Sequence, residues 1–119
     1  MLKRFKNFRY AFKGIEIAWR EERNFRFDTA YAVATLGLGW FFGLSKIEFL
    51  IVIFMIGFVL TAETFNTALE ELCDKFQPTH DPHIGKIKDL AAAAVLVSSI
   101  TALIVGLMIY VPYFSAWMQ

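Results

Sequence analysis

The charged residues of this 119-residue chain are segregated from long apolar runs, and this segregation limits the folds open to it. Residues 90–119 contain no Asp, Glu, Lys or Arg, and between Asp28 and Glu63 the only charged residues are Lys46 and Glu48. Hydrophobic residues make up 57% of the chain, against about 45–50% in ordinary soluble domains. The pattern predicts a small integral membrane protein and excludes both a disordered chain and a two-domain soluble enzyme.

Three apolar runs predict three membrane-spanning helices, because backbone polar groups in lipid must be satisfied within the segment itself. We place the spans at residues 29–46, 47–70 and 89–114, with the third fraying at Pro112. Residues 43–46 predict a tight helical hairpin between the first two spans. Residues 71–88 contain two prolines and a glycine and predict a cytoplasmic loop. The whole chain, residues 1–119, is predicted to form one domain.

The N-terminal segment, residues 1–27, has the pattern of an amphipathic helix. Its apolar side chains recur at spacings of three and four, and basic residues occupy the other positions. The apolar set is Phe5, Phe8, Phe12, Ile15 and Trp19. This pattern predicts a helix that lies in the membrane interface. The net charge of only +1 predicts no nucleic-acid partner.

The distribution of Lys and Arg predicts the orientation of the chain in the membrane. Eight of them precede the first span, three lie in the predicted loop, one lies at the hairpin and none follows the third span. Positive charge accumulates on the cytoplasmic side of membrane proteins. We therefore expect a multi-pass protein with a cytoplasmic N-terminus and a C-terminus outside.

The second span carries a stripe of polar side chains that a simple membrane anchor does not need: Glu63, Asn66, Glu70 and Asp74. At helical spacing these four residues share an arc of roughly 80°. Ionisable groups inside a membrane helix cost about 2.5–3.5 kcal/mol each and usually mark function. One Asn or Thr would suffice to hold helices together. The carboxylates instead favour a hard cation such as Mg²⁺, which commonly arrives with phosphates.

Other polar residues near the same side are candidates with less specific patterns. Lys88, at the start of the third span, suits either a phosphate ligand or a positively charged membrane anchor. Glu22 ends the amphipathic segment and could face the polar stripe. His80 and His83 without cysteines are a poor zinc pattern, and Cys73 reads as a small packing residue.

Three segments resemble the bacterial membrane-integral diacylglycerol kinase/undecaprenol kinase family. Residues 63–74 match its signature ExxNTAxExxxD, and residues 88–95 match its run KDxAA(G/A)AV. Residues 22–26, Glu-Arg-Asn-Phe-Arg, match the ERNF segment of the branch that is common in Gram-positive bacteria. The resemblance extends from about Lys3 to Pro112.

The resemblance implies an all-α fold, in which a surface helix and three transmembrane helices per protomer assemble into a homotrimeric bundle in the bacterial cytoplasmic membrane. It implies a lipid kinase that uses ATP and Mg²⁺. The ERNF segment and residues 65–68, Phe-Asn-Thr-Ala, favour undecaprenol as substrate, and diacylglycerol is the alternative. A proton-coupled transporter is the alternative from another class, but three unlike spans lack the repeats that alternating access usually uses.

The resemblance also assigns roles to individual residues. Glu63 is implied as the base near the lipid hydroxyl, with Asn66 orienting the acidic pair that holds the metal, Glu22 and Glu70. The implied nucleotide-binding residues are Tyr10, Glu22, Glu70, Asp74, Thr79, His80, Asp81, Lys88 and Asp89. The implied lipid-substrate residues are Lys3, Trp19, Phe25, Arg26 and Glu63.

Overall fold

A computed structural model describes residues 2–76 and 81–119 of the chain, and these residues form four α-helices. The helices are α1 (Leu2–Glu21), α2 (Arg23–Phe42), α3 (Lys46–Phe76) and α4 (Pro82–Trp117). The most extensive packing is between α3 and α4, followed by that between α2 and α3. Within the described residues the predicted all-α architecture is confirmed.

The helices extend beyond the predicted spans. Helix α2 begins at Arg23, before the predicted start at residue 29, and much of the predicted loop 71–88 is helical, since α3 ends at Phe76 and α4 starts at Pro82. Helical hydrogen bonding need not stop at a membrane surface. The Asp81 side chain caps α4 by accepting bonds from the backbone N–H groups of His83 and Ile84 at 2.8 and 3.2 Å.

Pro112 does not fray the third apolar segment, because α4 continues through it to Trp117. A proline removes one backbone donor and crowds the preceding turn, so packing has to hold such a helix together. Here the Tyr113 hydroxyl donates to the Glu48 carboxylate. The Phe114 ring meets the Phe42 ring edge-on at 4.8 Å between centroids. Contacts with the hairpin thus hold this end of α4 in place.

A tight turn joins α2 to α3. Gly43 has φ 73° and ψ 50°, a left-handed conformation that favours glycine. The backbone N–H groups of Gly43 and Leu44 both donate to the Gly39 carbonyl at 3.0 Å. Ser45 and Glu48 then cap α3 reciprocally, each side-chain oxygen accepting from the other residue's backbone N–H at 3.2 and 2.9 Å.

The buried apolar cluster lies near this turn, away from the polar stripe. It comprises Leu44, Val52 and Tyr110, contributed by the turn, α3 and α4. The Tyr110 hydroxyl donates to the Thr35 carbonyl of α2 at 2.6 Å, so α2, α3 and α4 meet here. A side chain at Gly39 would clash, because a Cβ there would lie 2.8 Å from Leu44. The cluster anchors one end of the bundle and leaves the polar stripe at the other.

Two of the described helices, α3 and α4, are long and apolar enough to cross a membrane. Most of their large apolar side chains are exposed, as expected for a protein whose surroundings are lipid. Helix α2 is not among these two candidates, since Arg23, Arg26 and Asp28 occupy its first turns. The prediction of a membrane protein is supported by α3 and α4.

Candidate active site

The polar stripe of α3 runs from a buried end to an exposed end. Glu63 is buried, with 4% of its surface exposed. Asn66 and Glu70 are half-buried, and Asp74 is exposed. The stripe therefore leads from a site shielded from water to one that a soluble molecule can reach.

The buried carboxyl group of Glu63 is covered by residues from the start of α2. Asn24 and Asp28, one helical turn apart, lie close enough to act on it, and Glu22 is close enough to repel it electrostatically. Glu22 is the single residue between α1 and α2, and its extended backbone (φ −106°, ψ 108°) makes the bend that we call the elbow. Folding thus gathers three carboxyl groups at the buried end of the stripe.

Asp28 is half-buried and lies near the buried carboxyl group of Glu63. Two neighbouring carboxyl groups hold a proton between them more readily than two separate ones. Asp28 is therefore suited to hold or pass a proton beside Glu63.

Asn66 links the buried end to the middle of the stripe. Its Nδ2 donates to Glu70 Oε1 at 3.4 Å, a long hydrogen bond. Its Oδ1 is buried and accepts no hydrogen bond from any residue that the structure describes. A buried polar atom without a partner is costly, so a ligand that supplies one would be favoured there.

At the exposed end an ion pair joins α3 to α4. Lys88 Nζ lies 2.7 Å from Asp74 Oδ1, and Glu70 is near enough to act on the same ammonium group. Lys88 is half-buried, whereas Asp74 is exposed. A lysine ammonium group held in this way can bind a phosphate as a point charge.

The side chains along the stripe fit an oxygen-preferring cation bound together with an anionic ligand. Glu70 and the free Oδ1 of Asn66 on the stripe, and Glu22 at the elbow, offer oxygen ligands. Mg²⁺ prefers oxygen ligands. Within residues 2–76 and 81–119, no group of three or more His, Cys, Asp or Glu is close enough to hold a metal by itself. A cation would therefore share its ligands with oxygens of the bound molecule, as Mg²⁺ commonly does with phosphates.

Several predicted nucleotide residues lie apart from this cluster. Tyr10 is exposed on α1 among Lys6, Arg9 and Lys13. Asp89 is exposed on α4 beside Gly85 and Lys86. Asp81 caps α4, and Thr79 and His80 lie outside the described residues.

The predicted lipid residues take different positions. Trp19 and Phe25 line an apolar groove between the elbow and α3, together with Leu60 and Phe65. Arg26 instead points to the end of α1, where its Nη1 donates to the Trp19 and Arg20 carbonyls. Lys3 is exposed near the start of α1, among residues that stay in contact with solvent or lipid.

Asp28 and Asn24 were not predicted as site residues from the sequence. Asp28 could be taken for a polar residue that ends an apolar span, and Asn24 stood inside a matched segment without a role. Their spacing of four puts both on one face of a helix, which is the signal that could have paired them. That this face meets Glu63 depends on how α2 packs against α3.

Comparisons with known proteins agree with the resemblance found in the sequence. The family model described as prokaryotic diacylglycerol kinase matches residues 9–110. The chain is similar to the undecaprenol kinase of Bacillus subtilis (strain 168), with 41% identity over 108 residues, which are 91% of this chain and 88% of that protein. It is similar to the diacylglycerol kinase of Synechocystis, with 37% identity covering 84% of this chain and 58% of that protein. It is 27% identical to the diacylglycerol kinase of Escherichia coli (strain K12), covering 80% and 78%.

Proposed function

The chain belongs to the prokaryotic diacylglycerol kinase family, and on that basis we propose that it phosphorylates the hydroxyl group of undecaprenol with ATP and Mg²⁺. Membership makes it a lipid kinase, a phosphotransferase with an alcohol acceptor, rather than a transporter. The observation that carries the proposal is the stripe of α3. It offers a buried carboxylate at one end and a lysine ammonium group at the other.

The choice of lipid rests on similarity. Identity is 41% to a protein named undecaprenol kinase, against 37% and 27% to proteins named diacylglycerol kinase. The alternative substrate is diacylglycerol, which the same chemistry would convert to phosphatidic acid. Both lipids present a hydroxyl group at the depth of the head groups, so the site by itself suits either.

Glu63 would accept the proton of the lipid hydroxyl as its oxygen attacks the γ-phosphorus of ATP and ADP leaves. General bases of this kind typically contribute 10²–10⁴-fold to a rate. Asn66 would keep Glu70 in place through the hydrogen bond between their side chains. Asp28 and Asn24, which lie near Glu63, would hold its carboxyl group in place.

Glu22 and Glu70 would hold Mg²⁺, and the unpartnered Oδ1 of Asn66, whose Nδ2 bonds Glu70, offers a further oxygen. When bound, the cation neutralises charge on the phosphates of ATP. Lys88 would bind a phosphate oxygen while Asp74 orients its ammonium group. We assign further nucleotide contacts to Tyr10, Thr79, His80, Asp81 and Asp89 on the family resemblance alone. Lys3, Trp19 and Phe25 are assigned to the lipid on the same basis, which also implies a lipid contact for Arg26.

We further propose that α2 is a third span, that the N-terminus is cytoplasmic and that the protein is a homotrimer in the bacterial cytoplasmic membrane. The contact of Asp28 with Glu63 supports the third span, because it turns this polar residue toward protein and away from lipid. Eleven of the twelve Lys and Arg residues then face the cytoplasm. The trimer rests on the family resemblance.

The test uses purified full-length protein in detergent with labelled ATP and Mg²⁺. Undecaprenol and diacylglycerol are offered separately and then as a mixture. We expect label in both lipids and a higher kcat/KM for undecaprenol. A preference for diacylglycerol would reverse the substrate assignment, and label in neither lipid would contradict the proposed activity.

A further inference from the structure

The guanidinium group of Arg26 bridges the elbow. Its Nη1 donates to the Trp19 carbonyl at 2.7 Å and to the Arg20 carbonyl at 3.0 Å. Both carbonyls belong to the last turn of α1, where helical carbonyl groups lack partners within the helix. Arg26 itself lies in the first turns of α2 and is half-buried. One side chain from α2 therefore closes the end of α1.

Few other polar contacts hold the angle at the elbow. The structure describes residues 2–76 and 81–119. Among the side-chain hydrogen bonds of these residues, only the two from Arg26 join α1 to another helix. Glu22 makes the bend, and its side chain does not cap α2. The inner side of the bend is packed by Ala18 and Phe25, which are both buried. Apolar contacts let helices swing more easily than directed hydrogen bonds do.

We propose that Arg26 is a positioning residue, which sets the angle between α1 and α2 and so places the Glu22 carboxylate beside Glu63. This inference rests on the proposed function, since it treats Glu22 as a ligand of the Mg²⁺ that accompanies ATP. The guanidinium group suits the task because it stays charged at all relevant pH values and presents donors in a fixed plane. It also faces the negative end of the α1 dipole. The family resemblance implies instead that Arg26 contacts the lipid.

The two roles predict different changes in Arg26→Met. If Arg26 is a positioning residue, its loss should raise the Mg²⁺ concentration for half-maximal activity by about 10–100-fold. This is the range of about 10–100-fold seen when a group supporting a metal ligand is removed. The KM for the lipid should stay unchanged. If Arg26 is a lipid contact, its loss should raise the KM for the lipid and leave the Mg²⁺ response unchanged. That result would overturn the inference.

A distance measurement tests the elbow without relying on activity. Spin labels at Ala11→Cys on α1 and Ala34→Cys on α2, both exposed positions, report the angle in a Cys73→Ala background. Labelled chains are diluted with unlabelled ones so that distances within one chain are measured. We expect Arg26→Met to broaden and shift the distance distribution and Arg26→Lys to retain part of it. An unchanged distribution in Arg26→Met would overturn the inference.

Arg23→Met is the matched control. It removes the same charge three residues earlier in α2, from a side chain that lies over the Phe27 ring at 5.4 Å. The spin-label distance and the Mg²⁺ response should match those of the parent. If Arg23→Met and Arg26→Met change both readouts equally, the effect is one of charge and the inference fails.

Glu22→Ala separates this inference from the proposed function. The variant should weaken the Mg²⁺ response while the spin-label distance stays that of the parent, because the Arg26 bonds go to backbone carbonyls. A normal Mg²⁺ response in Glu22→Ala would contradict the metal role of Glu22. The distances in Arg26→Met would still decide whether Arg26 holds the elbow.

Discussion

The ammonium group of Lys88 lies 2.7 Å from the carboxylate of Asp74, so the first turns of α4 are tied to the last turns of α3. Asp74 is exposed, and exposed ion pairs contribute only about 0–1 kcal/mol to stability. The ion pair therefore contributes little to the stability of the fold. Its lysine is a candidate for binding an anion.

Lys88→Met should separate the phosphate role of this lysine from a role as a membrane anchor. We expect kcat/KM for ATP to fall by about 10²-fold or more, since a charge-assisted contact with phosphate is lost, while thermal stability changes little. Steady-state kinetics and thermal unfolding in detergent give both values. Lys86→Met removes the same charge from an exposed neighbour, and equal losses in the two variants would argue for an anchor.

Glu63→Gln retains the shape of the side chain but removes its ability to take a proton. We expect kcat to fall by about 10²–10⁴-fold, the usual contribution of a general base, with ATP binding nearly unchanged. The measurement is single-turnover phosphorylation of undecaprenol, and Glu71→Gln on the exposed face of α3 is the control. A near-normal rate in Glu63→Gln would show that this residue is not the base.

Glu22→Ala and Glu70→Ala should each weaken binding of Mg²⁺ with nucleotide, and the double variant should lose little more than either alone. Groups that act as one unit have non-additive effects. The measurement is a titration of ATP binding at several Mg²⁺ concentrations. Additive losses would indicate that the two carboxylates serve separate sites.

Cysteine labelling tests the proposed topology. In a Cys73→Ala background, a membrane-impermeant reagent should label Ser45→Cys and Ser115→Cys in intact cells, and His83→Cys only after lysis. All three positions are exposed, so access is decided by the membrane. Labelling of His83→Cys from outside would put the start of α4 on the wrong side for cytoplasmic ATP.

Features that depend on residues close in sequence could be predicted from the sequence. The C-terminal end of α4 could not. The spacing of Glu63, Asn66 and Glu70 predicts a stripe because helix geometry repeats every 3.6 residues. Pro112 predicts a frayed end, yet α4 continues past it because Tyr113 contacts the Glu48 carboxylate. Local rules cannot include such a partner, which comes from a distant part of the chain.

The all-α membrane architecture and the family follow from the sequence, because apolar runs and motifs are properties of consecutive residues. The position of Asp28 near Glu63 and the bonds from Arg26 to the end of α1 are seen only in the folded chain. The first contact depends on the packing of α2 against α3, and the second on the angle at Glu22. Residues that share no periodic pattern become neighbours only when the helices that carry them pack together.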